Sequence, residues 1–274
     1  MRYTAKYILA AAVLLGSCTV QEGPLTPQAP VEGTVGVTMP AEVKDPTEDN
    51  TAVRIIMQAW TPGENGASGE LAFEYVWNNK KVSEGLTGEP VWMIPGTYDI
   101  LFWADRDADG SGNIYDAEYL NNVKVVGLDD QGSGNYVSGD DRDAFCGVLK
   151  GEEFKAGTSL NIRLERPLAR VVVTNATELT SEMTVSLTAT GIPTGYNVLT
   201  GESLTESAAG DLTITYPNAV SNQSEIFTDY FFPPVSSAPI EGTLNVGAAE
   251  QTLSLGSKDI VANYTTNITL NLNI

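Results

Sequence analysis

The stretch SLNIRLERPLARVVVTN, Ser159 to Asn175, decides how the chain is built. Ser159–Glu165 and Leu168–Asn175 are both short and rich in apolar and β-branched residues, which is strand composition. Between them stands Arg166-Pro167. A proline has no N–H to give to a central ladder, so it belongs at a junction and not inside a sheet. Two runs of strands therefore meet here, and the boundary between two all-β domains is placed at this dipeptide.

Working outward, the same texture continues on both sides. Toward the N-terminus lie GTVGVTM (Gly33–Met39), AVRIIMQAW (Ala52–Trp60), LAFEYVW (Leu71–Trp77), TYDILFWA (Thr97–Ala104) and NVKVVGL (Asn122–Leu128). Toward the C-terminus lie MTVSLTAT (Met183–Thr190), DLTITY (Asp211–Tyr216), EIFTDYFF (Glu225–Phe232), GTLNVG (Gly242–Gly247), QTLSLG (Gln251–Gly256) and NITLNLNI (Asn267–Ile274). Turn residues such as Pro62-Gly63, Pro95-Gly96 and Gly132-Ser133-Gly134 punctuate them. Many short strands with such punctuation predict sandwiches or barrels. Short helical turns are candidates only at Asp116–Asn122 and Arg142–Leu149. No repeat is regular enough to indicate a solenoid. The expected domains are 32–165 and 166–274.

The first residues read as an export signal. Arg2 and Lys6 precede an apolar run, Ile8–Leu15, too short to span a bilayer. The run ends in Leu15-Gly16-Ser17-Cys18, the pattern of a bacterial lipoprotein signal. Residues 1–17 are the expected signal peptide and Cys18 the expected lipidation site. Residues 18–31 contain GPLTPQAPV, a stiff proline-rich linker. The chain would then be tethered by acyl chains to the outer membrane and project from it.

Composition narrows the function. The 274 residues hold 15 Lys+Arg, 35 Asp+Glu and no histidine, for a net charge of −20. Without residues 1–17 the balance is 13 to 35, or −22. Such a surface repels nucleic acid. The lack of histidine removes the usual Ser-His-Asp and Cys-His machinery and most zinc and iron sites. With Cys18 acylated, Cys146 is left without a partner and reads as a buried inert thiol. A glycosidase pair of carboxylates cannot be picked out of so many acids. Trp60, Trp77, Trp92 and Trp103 suit either a sandwich core or a sugar surface.

Taken in order, YDILFWAD (Tyr98–Asp105), RDAFCG (Arg142–Gly147), LERPLARVVVTN (Leu164–Asn175), GIPTGYNVLTG (Gly191–Gly201), TDYFFPP (Thr228–Pro234) and NYTTNITLNLNI (Asn263–Ile274) resemble the fimbrillin-like lipoproteins of Bacteroidetes, the subunits of protease-processed pili. The resemblance covers nearly the whole chain. It implies two tandem transthyretin-like, Ig-like Greek-key β-sandwich domains and a non-enzymatic protein of the cell surface or fimbrium. Its partners would be other pilus subunits, joined by strand exchange, or host and bacterial surface ligands. In that family, stalk subunits lose an N-terminal strand to a protease that often cuts after arginine. Between Cys18 and Arg54 the only basic residue is Lys44, a poor site before Asp45-Pro46. The expected role is therefore accessory, tip or anchor, with a surface glycan-binding lipoprotein as the alternative.

Two stretches invite a site. FWADRDADGSGNIYDAEY (Phe102–Tyr119) places Asp105, Asp107 and Asp109 at alternate positions, Gly110 next, the Ser111 carbonyl after it and Asp116 at the twelfth position. This spacing suits a calcium loop outside the EF-hand fold, which would act as a structural staple. The final segment alternates Ile268, Leu270, Leu272 and Ile274 with polar residues, which puts one apolar face in a groove. That groove belongs either to the same domain or to a neighbouring subunit.

Overall fold

A computed structural model describes residues 28–40, 52–63, 68–128, 136–204, 212–235, 239–256 and 258–273. Cys18, Lys44 and Ile274 lie outside these residues, as does the signal segment.

The described residues form an all-β protein of tandem sandwiches. In the first half, β1 (Val31–Thr38) lies between β4 (Leu86–Met93) and β9 (Ser159–Arg163). β1 runs antiparallel to β4 and parallel to β9. Facing this sheet is a second, ordered β3 (Ser68–Lys81), β2 (Ala52–Pro62), β5 (Gly96–Asp105), β8 (Ala144–Phe154). Val35, Val37, Val91, Met93 and Leu160 of one sheet meet Ile55, Met57, Phe73, Ile100 and Phe102 of the other in a closed core.

The second half repeats this plan strand for strand. β10 (Ala169–Asn175) lies between β15 (Glu225–Phe231), antiparallel, and β18 (Thr265–Leu270), parallel. Opposite are β14 (Leu212–Ala219), β11 (Met183–Thr190), β16 (Ile240–Val246) and β17 (Ala249–Leu255), in that order. Each seven-strand half thus has its first strand central and flanked by its last. Within these four sheets no strand pair crosses from one half to the other, and Arg166-Pro167 falls between β9 and β10.

A fifth sheet crosses. β6 (Tyr115–Asp116) and β7 (Val123–Val125) are inserted between β5 and β8. β12 (Gly195–Asn197) and β13 (Glu202–Leu204) are inserted between β11 and β14. The two insertions pair with each other in the order β13-β12-β7-β6. Their packing explains a burial pattern that a two-layer sandwich would not give. Every residue from Val53 to Trp60 and from Ile100 to Asp105 is buried. Ile55, Met57 and Phe102 face the first core, while Ile56, Leu101 and Trp103 face Tyr115, Leu120 and Val123 of the insertion. A strand covered on both faces reads as a continuous apolar run, as AVRIIMQAW does.

The segment Arg142–Leu149, weighed as a helical turn, is mostly strand β8. Only Asp140–Arg142 forms a 3-10 turn, with another at Leu120–Asn122.

Candidate functional site

The aspartate loop leaves the end of β5 directly opposite β2, where Arg54 and Asp105 are cross-strand partners. Both are buried. Arg54 donates from Nε and Nη2 to the two Asp105 oxygens at 3.2 and 2.6 Å, and Nη2 also reaches the Tyr115 carbonyl at 3.3 Å. Trp103 Nε1 donates to Asp105 Oδ2 at 2.7 Å, and the Asp107 N–H to Oδ1 at 3.1 Å. The Arg54 Nη1 atom lies 3.6 Å from Asp107 Oδ2. Asp107 also accepts from Ser111 Oγ at 2.7 Å, from the Ser111 N–H at 3.2 Å and from the Gly112 N–H. Asp109 accepts the Ser111 N–H at 3.1 Å, and hydrogen bonding from the Ser111 side chain, then from this N–H, holds its carboxyl below the usual carboxylate range. Asp116 turns away and caps the Glu118 N–H at 3.2 Å. Gly110 and Gly112 make the loop possible with φ of 75° and 72°.

This geometry differs from the one the spacing suggests. Asp105 and Asp107 do converge, with Arg54 as their cation, whereas Asp109 is exposed and accepts from Ser111. Among the described residues no group of three or more acidic or sulfur side chains is arranged to hold a metal ion. The Asp105 and Asp107 oxygens are met by a guanidinium, an indole, a serine hydroxyl and loop N–H groups, so the loop is closed from within by a charge fifty-one residues away in sequence.

A second ionic cluster, which the sequence reading did not single out, sits where the halves meet. Asp229 of β15 is fully buried. It accepts from Tyr136 Oη at 2.7 Å, from the Gly139 N–H at 3.3 Å and from the Tyr230 N–H at 2.8 Å, and Arg142 Nη1 lies 4.0 Å away. Arg142, also buried, donates to Tyr136 Oη and stacks over the Tyr136 ring at 4.6 Å. Beside it, Arg166 of the junction dipeptide grips Asp143 through two hydrogen bonds of 2.5 and 2.8 Å. The charge pattern around Arg142 and Arg166 was visible in the sequence; the partners were not.

Burial pushes the Asp229 carboxyl up to about 6, against the pull of Arg142. An acid whose native pKa is raised from 3.8 to about 6 holds its proton more tightly folded than unfolded. Its contribution to stability is therefore present in acid and is lost as pH rises from about 4 to about 6. The full swing is about 3 kcal/mol. In urea titrations across this window, Asp229→Asn is expected to have a flatter profile than the wild type. An unchanged slope would show that Asp229 titrates normally.

The C-terminal segment lies in a groove of its own chain. β18 pairs with β10 over six residues, with Ile268 beside Val173. Leu270 is buried, and Ile268 and Leu272 are half-buried against the second core. Beyond β18, Asn175 holds the Leu272 backbone at both ends, accepting its N–H at 2.8 Å and donating to its carbonyl at 3.2 Å.

Of the four tryptophans, Trp60, Trp77 and Trp103 are core residues, and Trp92 is 43% exposed. Burial pushes the Cys146 thiol up to about 12, so it stays protonated and unreactive at neutral pH.

The profile of the family of unknown function DUF6562 matches residues 19–272. The chain belongs to that family. No curated protein matches the sequence. Among solved structures, this DUF6562 chain resembles a candidate polysaccharide-binding protein (DUF1812) of Bacteroides thetaiotaomicron VPI-5482. The TM-score is 0.51 at 11% identity, over 84% of this chain and 81% of that one. It also resembles a candidate adhesin of Bacteroides ovatus ATCC 8483, with a TM-score of 0.48 at 13% identity over 96% and 99% of the chains. The fimbrial anchor protein Mfa2 of Porphyromonas gingivalis gives 0.47 at 13% identity over 79% and 78%. At such identities the likeness is one of fold, and the fold is the tandem β-sandwich described above for this DUF6562 member.

Proposed function

We propose that the protein is a non-enzymatic, lipid-anchored surface subunit of fimbrial type that keeps its first strand, and so serves as an accessory, tip or anchor and not as stalk. The observation that carries this reading is the setting of β1. It is the central strand of its sheet, with Val35 and Val37 fully buried, so its removal would open a groove between β4 and β9. Yet the first arginine after Cys18 is Arg54, buried and bound at two points to Asp105. An arginine-directed protease would have to unfold the domain to reach it. Lys44 stays the one basic residue between anchor and β2, and acylation at Cys18 supplies the tether.

Treating the folded protein with an arginine-specific protease is expected to leave Val31–Thr38 joined to the rest, as read by intact mass. The natural mature N-terminus is expected to be acylated Cys18. A mature chain that begins between Thr38 and Ala52, and polymerises, would overturn the assignment in favour of a stalk subunit. The alternative, a glycan-binding surface lipoprotein, rests on Trp92, the one tryptophan left open to stack on a sugar.

A further inference from the structure

We infer that the two halves fold and unfold as one cooperative unit, because each carries an insertion that only the other can complete. Tandem sandwiches on a short linker ordinarily move independently, since their contacts are small and polar. Here a backbone ladder crosses between them. β7 of the first half pairs with β12 of the second through Gly195↔Lys124 and Tyr196↔Val123. Taken apart, the fifth sheet becomes two isolated ladders, two pairs long for β6–β7 and three for β12–β13. Two-stranded ribbons of that size are not stable in water. Neither insertion can therefore hold its shape without the other half.

Side chains close the same seam. Trp103 of β5 packs edge-on to Tyr115 at 5.2 Å, and both rings lie within 6.5 Å of Phe232, which follows β15. Phe232 in turn stacks on Tyr196 of β12 at 5.1 Å. One apolar cluster runs without a break from Ile56 and Trp103 to Leu270. Separation would uncover it, and would also strip Asp229 of Tyr136 and Gly139. The inference rests on this pairing and these seam contacts and holds whether or not the protein is a fimbrial subunit.

Gly195 offers a test that touches none of the four sandwich sheets. A Cβ there would lie 2.4 Å from the Val123 carbonyl oxygen, so any side chain forces β12 off β7. The full chain is expected to unfold in a single calorimetric transition whose van't Hoff and calorimetric enthalpies agree. Amides of β5 and β16 should lose exchange protection at the same denaturant concentration. Gly195→Val should either split this into two transitions or lower the midpoint of both halves together. Thr200→Ala, at the exposed tip of the same hairpin, should do neither. If Gly195→Val does not fold, Tyr136→Phe, which removes the hydroxyl shared by Arg142 and Asp229, should raise exchange in both halves. Two separate transitions in the wild type would overturn the inference. So would a Gly195→Val chain with an unchanged single transition, or a Tyr136→Phe effect confined to one half.

Discussion

Removing residues 263–274 is expected to abolish cooperative folding of the second half and, through the shared fifth sheet, of the first half with it. The segment supplies β18, the parallel neighbour of β10, and with it the buried Leu270 and half-buried Ile268 and Leu272. At about 1.5–3 kcal/mol for a fully buried side chain and half that for each of the others, the loss is roughly 3–6 kcal/mol. Uncovering Val171 and Val173 adds to it. Asn175, itself buried, would lose both of its bonds to the Leu272 backbone and keep the Thr177 hydroxyl as its amide partner. Such a sum rivals the net stability of a whole domain. Circular dichroism and exchange on the truncated chain read the outcome. A truncated chain that folds but no longer joins larger assemblies would give the strand to a neighbouring subunit by strand addition. One that folds and associates as before would remove the segment from both roles.

Replacing Arg54 is the second large perturbation. Arg54→Met leaves Asp105 buried with its charge opposed only by Trp103 and an N–H, and should cost about 3–5 kcal/mol. Burial already pushes the Asp105 carboxyl up, so the stranded acid would take a proton. The double change Arg54→Met with Asp105→Leu should be less harmful than Arg54→Met alone, because it removes the stranded charge along with its partner. Calcium at millimolar concentration should leave the wild-type melting temperature where it is. A wild type stabilised by calcium and destabilised by chelator would return the loop to the metal-binding role its spacing suggests.

The aspartate loop shows where sequence reading stops. The alternation of Asp105, Asp107 and Asp109 was legible, and so was their need for a positive charge. That the charge is Arg54 was not, because the pairing comes from the β2–β5 register and not from local spacing. The strands were legible wherever apolar and β-branched residues gather, from Ala52–Trp60 to Met183–Thr190. β4 escaped because Gly88 and Pro90 look like turn residues; an edge strand tolerates them, and Pro90 needs no partner for the N–H it lacks. β8 was obscured by Gly147 and Gly151. Gly147 leaves room for Ile162, whose Cδ1 a Cβ there would meet at 2.8 Å and displace. Of the fifth sheet only β7 was legible, inside the expected strand Asn122–Leu128; β6, β12 and β13 are two or three residues long and have no period to detect. With them went the Arg142–Asp229 cluster, which exists only once those insertions are in place.

The matching strand order of the two halves has the form of an ancestral duplication whose copies have drifted past recognition in sequence. Ordinarily such copies are free to be shuffled, lost or exchanged between relatives. Here the two insertions, placed at different points of the shared plan, are complementary and not equivalent. A chimera that takes one half from a relative would inherit a ribbon cut to fit a surface no longer present, together with an acid or a guanidinium lacking its opposite. Recombination at Arg166-Pro167, the obvious seam, is therefore expected to yield poorly folded chains, and the pair should pass between lineages as a single heritable module.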